Sequence, residues 1–244
     1  MQQKGAVEPG SGWARIINDC SHKDRRCDCL PVASSEDGPH ASSSEDGHLG
    51  LVEQLNKELD ADHLNPIDEY AFLQIGGGAL FLRPEPGKLA ISQSIVKSLF
   101  TEARRSLTMR EDCDPKSPFD ILSSTRALLV VSGDHYTAWN LRKEYLLEKH
   151  KSGDARPAIK DEIVLLNLVF SMRPKAGNAW AHRRFACKLA VETMKDKELA
   201  SFWEKELACC EELAVRHSKN YYGRFVGDFT VRAHPIKLTL LFPP

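Results

Sequence analysis

The chain has 244 residues, with 33 Lys and Arg against 34 Asp and Glu, a formal net charge of −1. That balance argues against a nucleic-acid partner, which would ask for a strongly basic face. The apolar content of 42% is ordinary for a globular protein. No apolar run approaches the roughly 20 residues of a membrane span, and the densest, 163–170, is broken by Asn167. The first residues lack an apolar secretion core, and Glu8, Asp19, Asp24 and Asp28 make them too acidic for a transit peptide. Seven cysteines, an odd number, fit reduced thiols better than a disulfide framework. These features predict a cytoplasmic protein with no membrane span.

Residues 1–49 differ from the rest. Ser34-Ser35-Glu36-Asp37-Gly38 returns as Ser43-Ser44-Glu45-Asp46-Gly47, and no Lys or Arg occurs between Arg26 and Lys57. Such a composition buries too little apolar area to offset the entropy of ordering, so a disordered segment is expected. Cys20, His22, Cys27 and Cys29 stand in no standard zinc-finger spacing, and no metal site is expected from them.

Residues 50–118 read as N-terminal helices around a short Gly/Pro-rich extended region. Leu51, Leu55 and Leu59 step by four, and the run stops near Pro66. The run Gly76-Gly77-Gly78 lacks the Lys-Ser/Thr pair that a phosphate loop needs, so it reads as a turn between short extended pieces at 79–82 and 89–91. Helical spacing returns over 92–106, with Ile95, Leu99 and Ala103 on one side.

Residues 119–222 contain an internal repeat. At a shift of 41, Asp134-His135-Tyr136-Thr137-Ala138-Trp139-Asn140-Leu141-Arg142-Lys143 lies over Lys175-Ala176-Gly177-Asn178-Ala179-Trp180-Ala181-His182-Arg183-Arg184. Each copy follows an apolar helical stripe: Leu122, Ala127, Leu128 and Leu129 before the first, Ile159, Ile163, Leu166 and Phe170 before the second. A third begins at a shift of 44, where Trp203, Leu207, Cys210 and Leu213 precede Lys219-Asn220-Tyr221. Each unit reads as helix, short polar loop, helix, and neighbouring units must stack to bury their faces. Trp139 and Trp180 are expected to pack against the preceding helix, with Arg142 and Arg183 reaching carbonyls or acids at a neighbouring helix end. The third copy then loses register: Arg224 stands where the Trp belongs and Gly227 where the Arg belongs. Residues 223–244 therefore read as an irregular, substituted tail that leaves an incomplete solenoid with an exposed apolar last face.

Tyr136, Trp139, Arg142 and Leu146 in the first copy, Lys175, Trp180 and Arg183 in the second, and Lys219-Asn220-Tyr221 in the third resemble the repeat of the protein prenyltransferase α-subunit family, Lys/Arg-Asn-Tyr-x-x-Trp-x-x-Arg followed by an aliphatic residue. Within that family the similarity is to its divergent α-like branch, and it covers residues 66–222. Gly177 departs from the repeat's Tyr, Cys187 from its aliphatic residue, and between two and three repeats stand where the family has about five. The resemblance implies an all-α fold, a right-handed α-α superhelix built as a TPR-like solenoid of helical hairpins, wrapped around a separate β subunit. It implies zinc on that β partner and no cofactor on this chain. The protein substrate and the isoprenoid diphosphate would meet in the complex, with Lys175 approaching the diphosphate and Lys219, Asn220 and Tyr221 as weaker substrate-side candidates. Tyr136, Trp139, Arg142, Trp180 and Arg183 are then repeat-packing residues. Two other readings stand beside this one: a helical-repeat scaffold that binds peptides without transferase activity, and a truncated product without function.

Overall fold

The computed structural model describes residues 49–62, 64–108, 121–217, 220 and 221. The segment 1–48, its Cys/His cluster, Lys219 and the tail 223–244 lie outside the described residues.

Helix α1 (Leu51–Asp60) buries Val52, Leu55 and Asn56 along one stripe. Its N-terminal donors are satisfied from far along the chain: the Glu102 carboxylate accepts the backbone N–H of Leu51 and of Val52, each at 3.0 Å. An acid at a helix start also complements the helix dipole. Beyond the helix, Asp62 accepts from the N–H of Leu64 and Asn65, turning the chain before Pro66.

A small sheet follows. β1 (Glu69–Leu73) pairs in parallel with β3 (Lys88–Ser92), and β2 (Phe81–Leu82) pairs antiparallel on the other side of β3. The glycine run does form a turn, with Gly77 and Gly78 at φ +70° and +75°, where a Cβ would be strained. β1 itself is not among the extended pieces expected from sequence. The Tyr70 hydroxyl donates to the Val130 carbonyl at 2.7 Å, which seats the sheet on the first repeat. A 3₁₀ turn (Gln93–Ile95) leads into α2 (Val96–Thr108), whose Leu99 and Ala103 are fully buried.

The repeat then unfolds as helical hairpins. α3 (Ile121–Val131) and α4 (Tyr136–Lys151) form the first, α5 (Ala155–Met172) and α6 (Gly177–Thr193) the second, and α7 (Asp196–Arg216) opens the third. The shift of 41 holds at the level of single hydrogen bonds. His135 N–H donates to Ser132 O at 3.0 Å, Ala176 N–H to Arg173 O at 3.1 Å, and the third loop closes alike, Asn220 N–H to His217 O at 2.8 Å. The Trp139 indole donates to Gly133 O at 2.9 Å and the Trp180 indole to Pro174 O at 2.8 Å. Trp180 stacks on Phe170 of the helix before it, with ring centroids 4.2 Å apart. Trp139 reaches forward instead and stacks on His182 of α6 at 4.6 Å. Leu128, Leu129, Trp139, Leu166, Phe170 and Trp180 share one continuous core. A second cluster, with Leu146, Ile159, Ala186 and Leu189, fills the space away from the loops.

Gly133 is where the first loop touches the second unit. A Cβ there would sit 2.8 Å from Val169 Cγ1 and 3.2 Å from Arg173 Cβ. Gly133→Ala is expected to cost about 1–3 kcal/mol, the range for forced overpacking, read as a lower urea midpoint.

Candidate functional site

The chemistry-bearing residues fall into two groups, one buried between units and one on the loop edge. Within the seams, Arg142 of α4 donates Nε to Glu162 Oε2 at 3.1 Å, and its Nη2 lies 2.6 Å from Oε1. Its Nη1 turns back to α3, donating to Thr125 Oγ1 at 2.8 Å and Leu122 O at 3.1 Å. Arg183 repeats the arrangement: Nε to Glu206 Oε2 at 2.7 Å, Nη2 to Oε1 at 2.8 Å, and Nη1 to Asn167 Oδ1 at 2.8 Å. Each arginine thus holds the first helix of its own unit with one arm and the first helix of the next with the other two.

The expectation that these arginines would reach neighbouring helix ends is corrected by this geometry. Leu122 does lie in the first turn of α3, but Glu162 and Glu206 sit in the middle of α5 and α7. An arginine one turn inside its helix points sideways across the seam, and the acid it meets stands well inside the next helix. Both glutamates are almost fully buried, where an unpaired charge would be costly, and each meets a two-pronged guanidinium. Burial alone would raise the Glu162 pKa; Arg142 and the His182 hydrogen bond outweigh it and hold it below the usual carboxylate value. Burial likewise opposes the Arg183 charge, and Glu206 more than restores it. His182 Nε2 lies 2.9 Å from Glu162 Oε2, while its Nδ1 is buried without a partner among the described residues. Burial dominates there and lowers its pKa, against the bond to Glu162.

Two thiols complete the second clamp. Cys187 Sγ donates to Glu206 Oε2 and Cys209 Sγ to Asn167 Oδ1, both at 3.5 Å. Burial pushes Cys187 well up and Cys210 up to about 12, so neither is a thiolate at neutral pH. Among the described residues, no group of three His, Cys, Asp or Glu is placed to hold a metal ion.

The loop edge carries the other sequence-predicted residues. Lys175 is exposed on the α5–α6 loop, beside the start of α6. Tyr136, at the start of α4, and Tyr221, at the equivalent repeat position, are 65% and 73% exposed. Asn220 is buried and its side chain donates to Pro174 O at 2.9 Å, so it ties the third loop to the second. Asn178 does the same one unit earlier, its N–H donating to Asp134 Oδ1 at 2.6 Å and its amide to Asp134 O at 3.0 Å. Lys175 therefore shares an edge with Tyr136 and Tyr221 and is separate from the buried arginines. Along the α5–α7 seam run two clefts of about 430 and 450 Å³ that share Asn167 and Lys205. Sequence reading missed Glu162, Glu206, Thr125, Asn167 and His182. The available signal was a glutamate recurring at the 44-residue shift inside two apolar helical stripes.

Fold and clamps together define an all-α helical-repeat protein, and no helix among the described residues is long and apolar enough to cross a membrane. No protein-family model matches the chain. Among curated proteins it is similar to protein prenyltransferase alpha subunit repeat-containing protein 1-A of Xenopus laevis, 32% identical over 116 aligned positions that cover 42% of this chain and 26% of that protein. Its Danio rerio counterpart, repeat-containing protein 1, is 28% identical over 195 positions, covering 70% and 44%. Geranylgeranyl transferase type-2 subunit alpha of Candida albicans is 28% identical over 119 positions, covering 46% and 31%. The chain spans less than half the length of these relatives. The chain is thus similar, at modest identity, to prenyltransferase α-subunit proteins, divergent α-like ones among them.

Two outcomes follow for the buried groups. Glu206→Ala leaves the Arg183 charge buried and uncompensated, at a cost of about 3–5 kcal/mol in chemical denaturation, whereas a paired Arg183→Met/Glu206→Leu exchange is close to neutral. Acidification destabilises the fold in two stages. Histidines with depressed folded pKa stabilise fully above their unfolded value of 6.5 and lose that contribution as pH falls through the folded value; Glu162 behaves likewise below 4.5. His135, whose Nδ1 accepts the Ala138 N–H at 3.2 Å, has the same sign. In stability–pH profiles His182→Phe should reduce the fall below pH 6.5 without abolishing the share of His135.

Proposed function

We propose that this chain acts as an α-like, largely non-catalytic subunit of a heterodimeric protein prenyltransferase of the geranylgeranyl type, supporting transfer of an isoprenoid to a protein cysteine. The observation that carries the reading is the recurrence of the Trp-x-x-Arg hairpin bond by bond, in a chain similar to proteins named as α subunits of geranylgeranyl transferase. The β partner would bring zinc and most of the isoprenoid and peptide site. From this chain Lys175 would enter the shared site. A diphosphate leaving group gains negative charge as the carbon–oxygen bond stretches, and a fixed ammonium stabilises it. The exposure of Lys175 on the loop edge is compatible with that task.

A second reading, a peptide-binding scaffold without a transferase partner, draws support from the two clefts along the α5–α7 seam.

Co-expression with geranylgeranyl transferase β subunits and size-exclusion chromatography tests the first reading: a stable one-to-one complex is expected, and its absence with every β subunit would favour the scaffold. Within an intact complex, Lys175→Ala should lower turnover by about 100- to 1,000-fold without loss of assembly, the scale for removing one preorganised donor. Unchanged turnover would remove Lys175 from the site.

A further inference from the structure

The outer arc of α2 is a cationic strip. Lys97, Thr101, Arg104, Arg105 and Thr108 are all exposed and lie opposite the buried Leu99 and Ala103. Lys97 and Arg104 are two turns apart on one line, with Arg105 beside them. None of the three cations forms an ion pair among the described residues. The helix's acid, Glu102, is turned to the flank and spent on the N-terminus of α1.

That same contact fixes where the N-terminal segment enters the fold. Gly50 lies so close to Glu102 that a Cβ would approach its Oε1 to 2.5 Å, so the chain arrives against α2 itself, one turn from Arg105. Immediately upstream stand the two Ser-Ser-Glu-Asp-Gly copies, with Glu36, Asp37, Glu45 and Asp46 and no cation between Arg26 and Lys57. An extended chain spans at most about 3.3–3.6 Å per residue, so Asp46 reaches roughly 14 Å from Gly50 and Glu36 more than 40 Å. Both cover the width of a helix, about 10–12 Å.

We propose that the acidic segment 34–47 docks on the Lys97, Arg104 and Arg105 arc of α2 in its own chain. Individual exposed ion pairs are weak and salt-screened, but a tether this short holds the segment near millimolar effective concentration, where weak attraction suffices. The proposal is independent of any transferase role.

Lys97 supplies the one amine on the arc, so carbodiimide coupling of the full-length chain reads the contact directly. At 50 mM salt, tandem mass spectrometry should find Lys97 joined to Glu36, Asp37, Glu45 or Asp46 within one chain. The yield should fall at least fivefold in 0.5 M salt and in Arg104→Glu/Arg105→Glu, a surface exchange whose unchanged circular dichroism confirms folding. Coupling of Lys97 to Glu111, Asp112 or Asp114 instead, coupling only between isotopically distinct chains, or a yield indifferent to salt and charge reversal would each overturn it.

Discussion

A guanidinium drawn out of water and gripped on two sides is what makes this chain a stack of units. Arg142 and Arg183 are nearly or fully buried, and each meets a carboxylate side-on through Nε and Nη2. Such pairs need not add net stability over an apolar seam, because desolvating both charges is costly. What they add is position. A seam of Leu, Ala and Val tolerates sliding by part of a turn, whereas a forked donor meeting two carboxylate oxygens does not. The third donor of each arginine fixes the helix behind it in the same act, so alignment passes from one unit to the next.

Half of this was legible in the sequence. The Trp and Arg positions recur at one spacing, and a recurring pair of large residues is visible in any self-comparison. The acids were not, because Glu162 follows Asp161 and Glu206 stands two residues after Glu204, so each reads as one more surface acid, 20 and 23 residues from its arginine. Nothing local says that they pair across a seam. The third loop was legible through its 44-residue shift, and its closing bond at Asn220 matches the first two. Strand β1 escaped notice because its partner β3 lies beyond an intervening strand, a pairing that no local alternation reveals.

The two groups of residues answer to different demands. Interior positions must satisfy buried polarity, and a substitution there that strands a buried charge is felt as lost stability. The loop edge is freer: Ala176 is tucked under and Gly177 starts α6, while Lys175 beside them remains exposed.

The Pro174 carbonyl accepts both the Trp180 indole of its own hairpin and the Asn220 amide of the next, and Asp134 grips Asn178 in parallel. Outside the arginine clamps, the loop-to-loop bonds between units therefore gather on one margin of the stack. At the opposite margin, α5 and α7 are bridged by the exposed pairs of Glu198 with Lys160 and Arg156, which water and salt weaken. The bonded loops thus serve as the hinge line of the stack, and the screened side, where α5 and α7 begin, is where the two units separate at least cost.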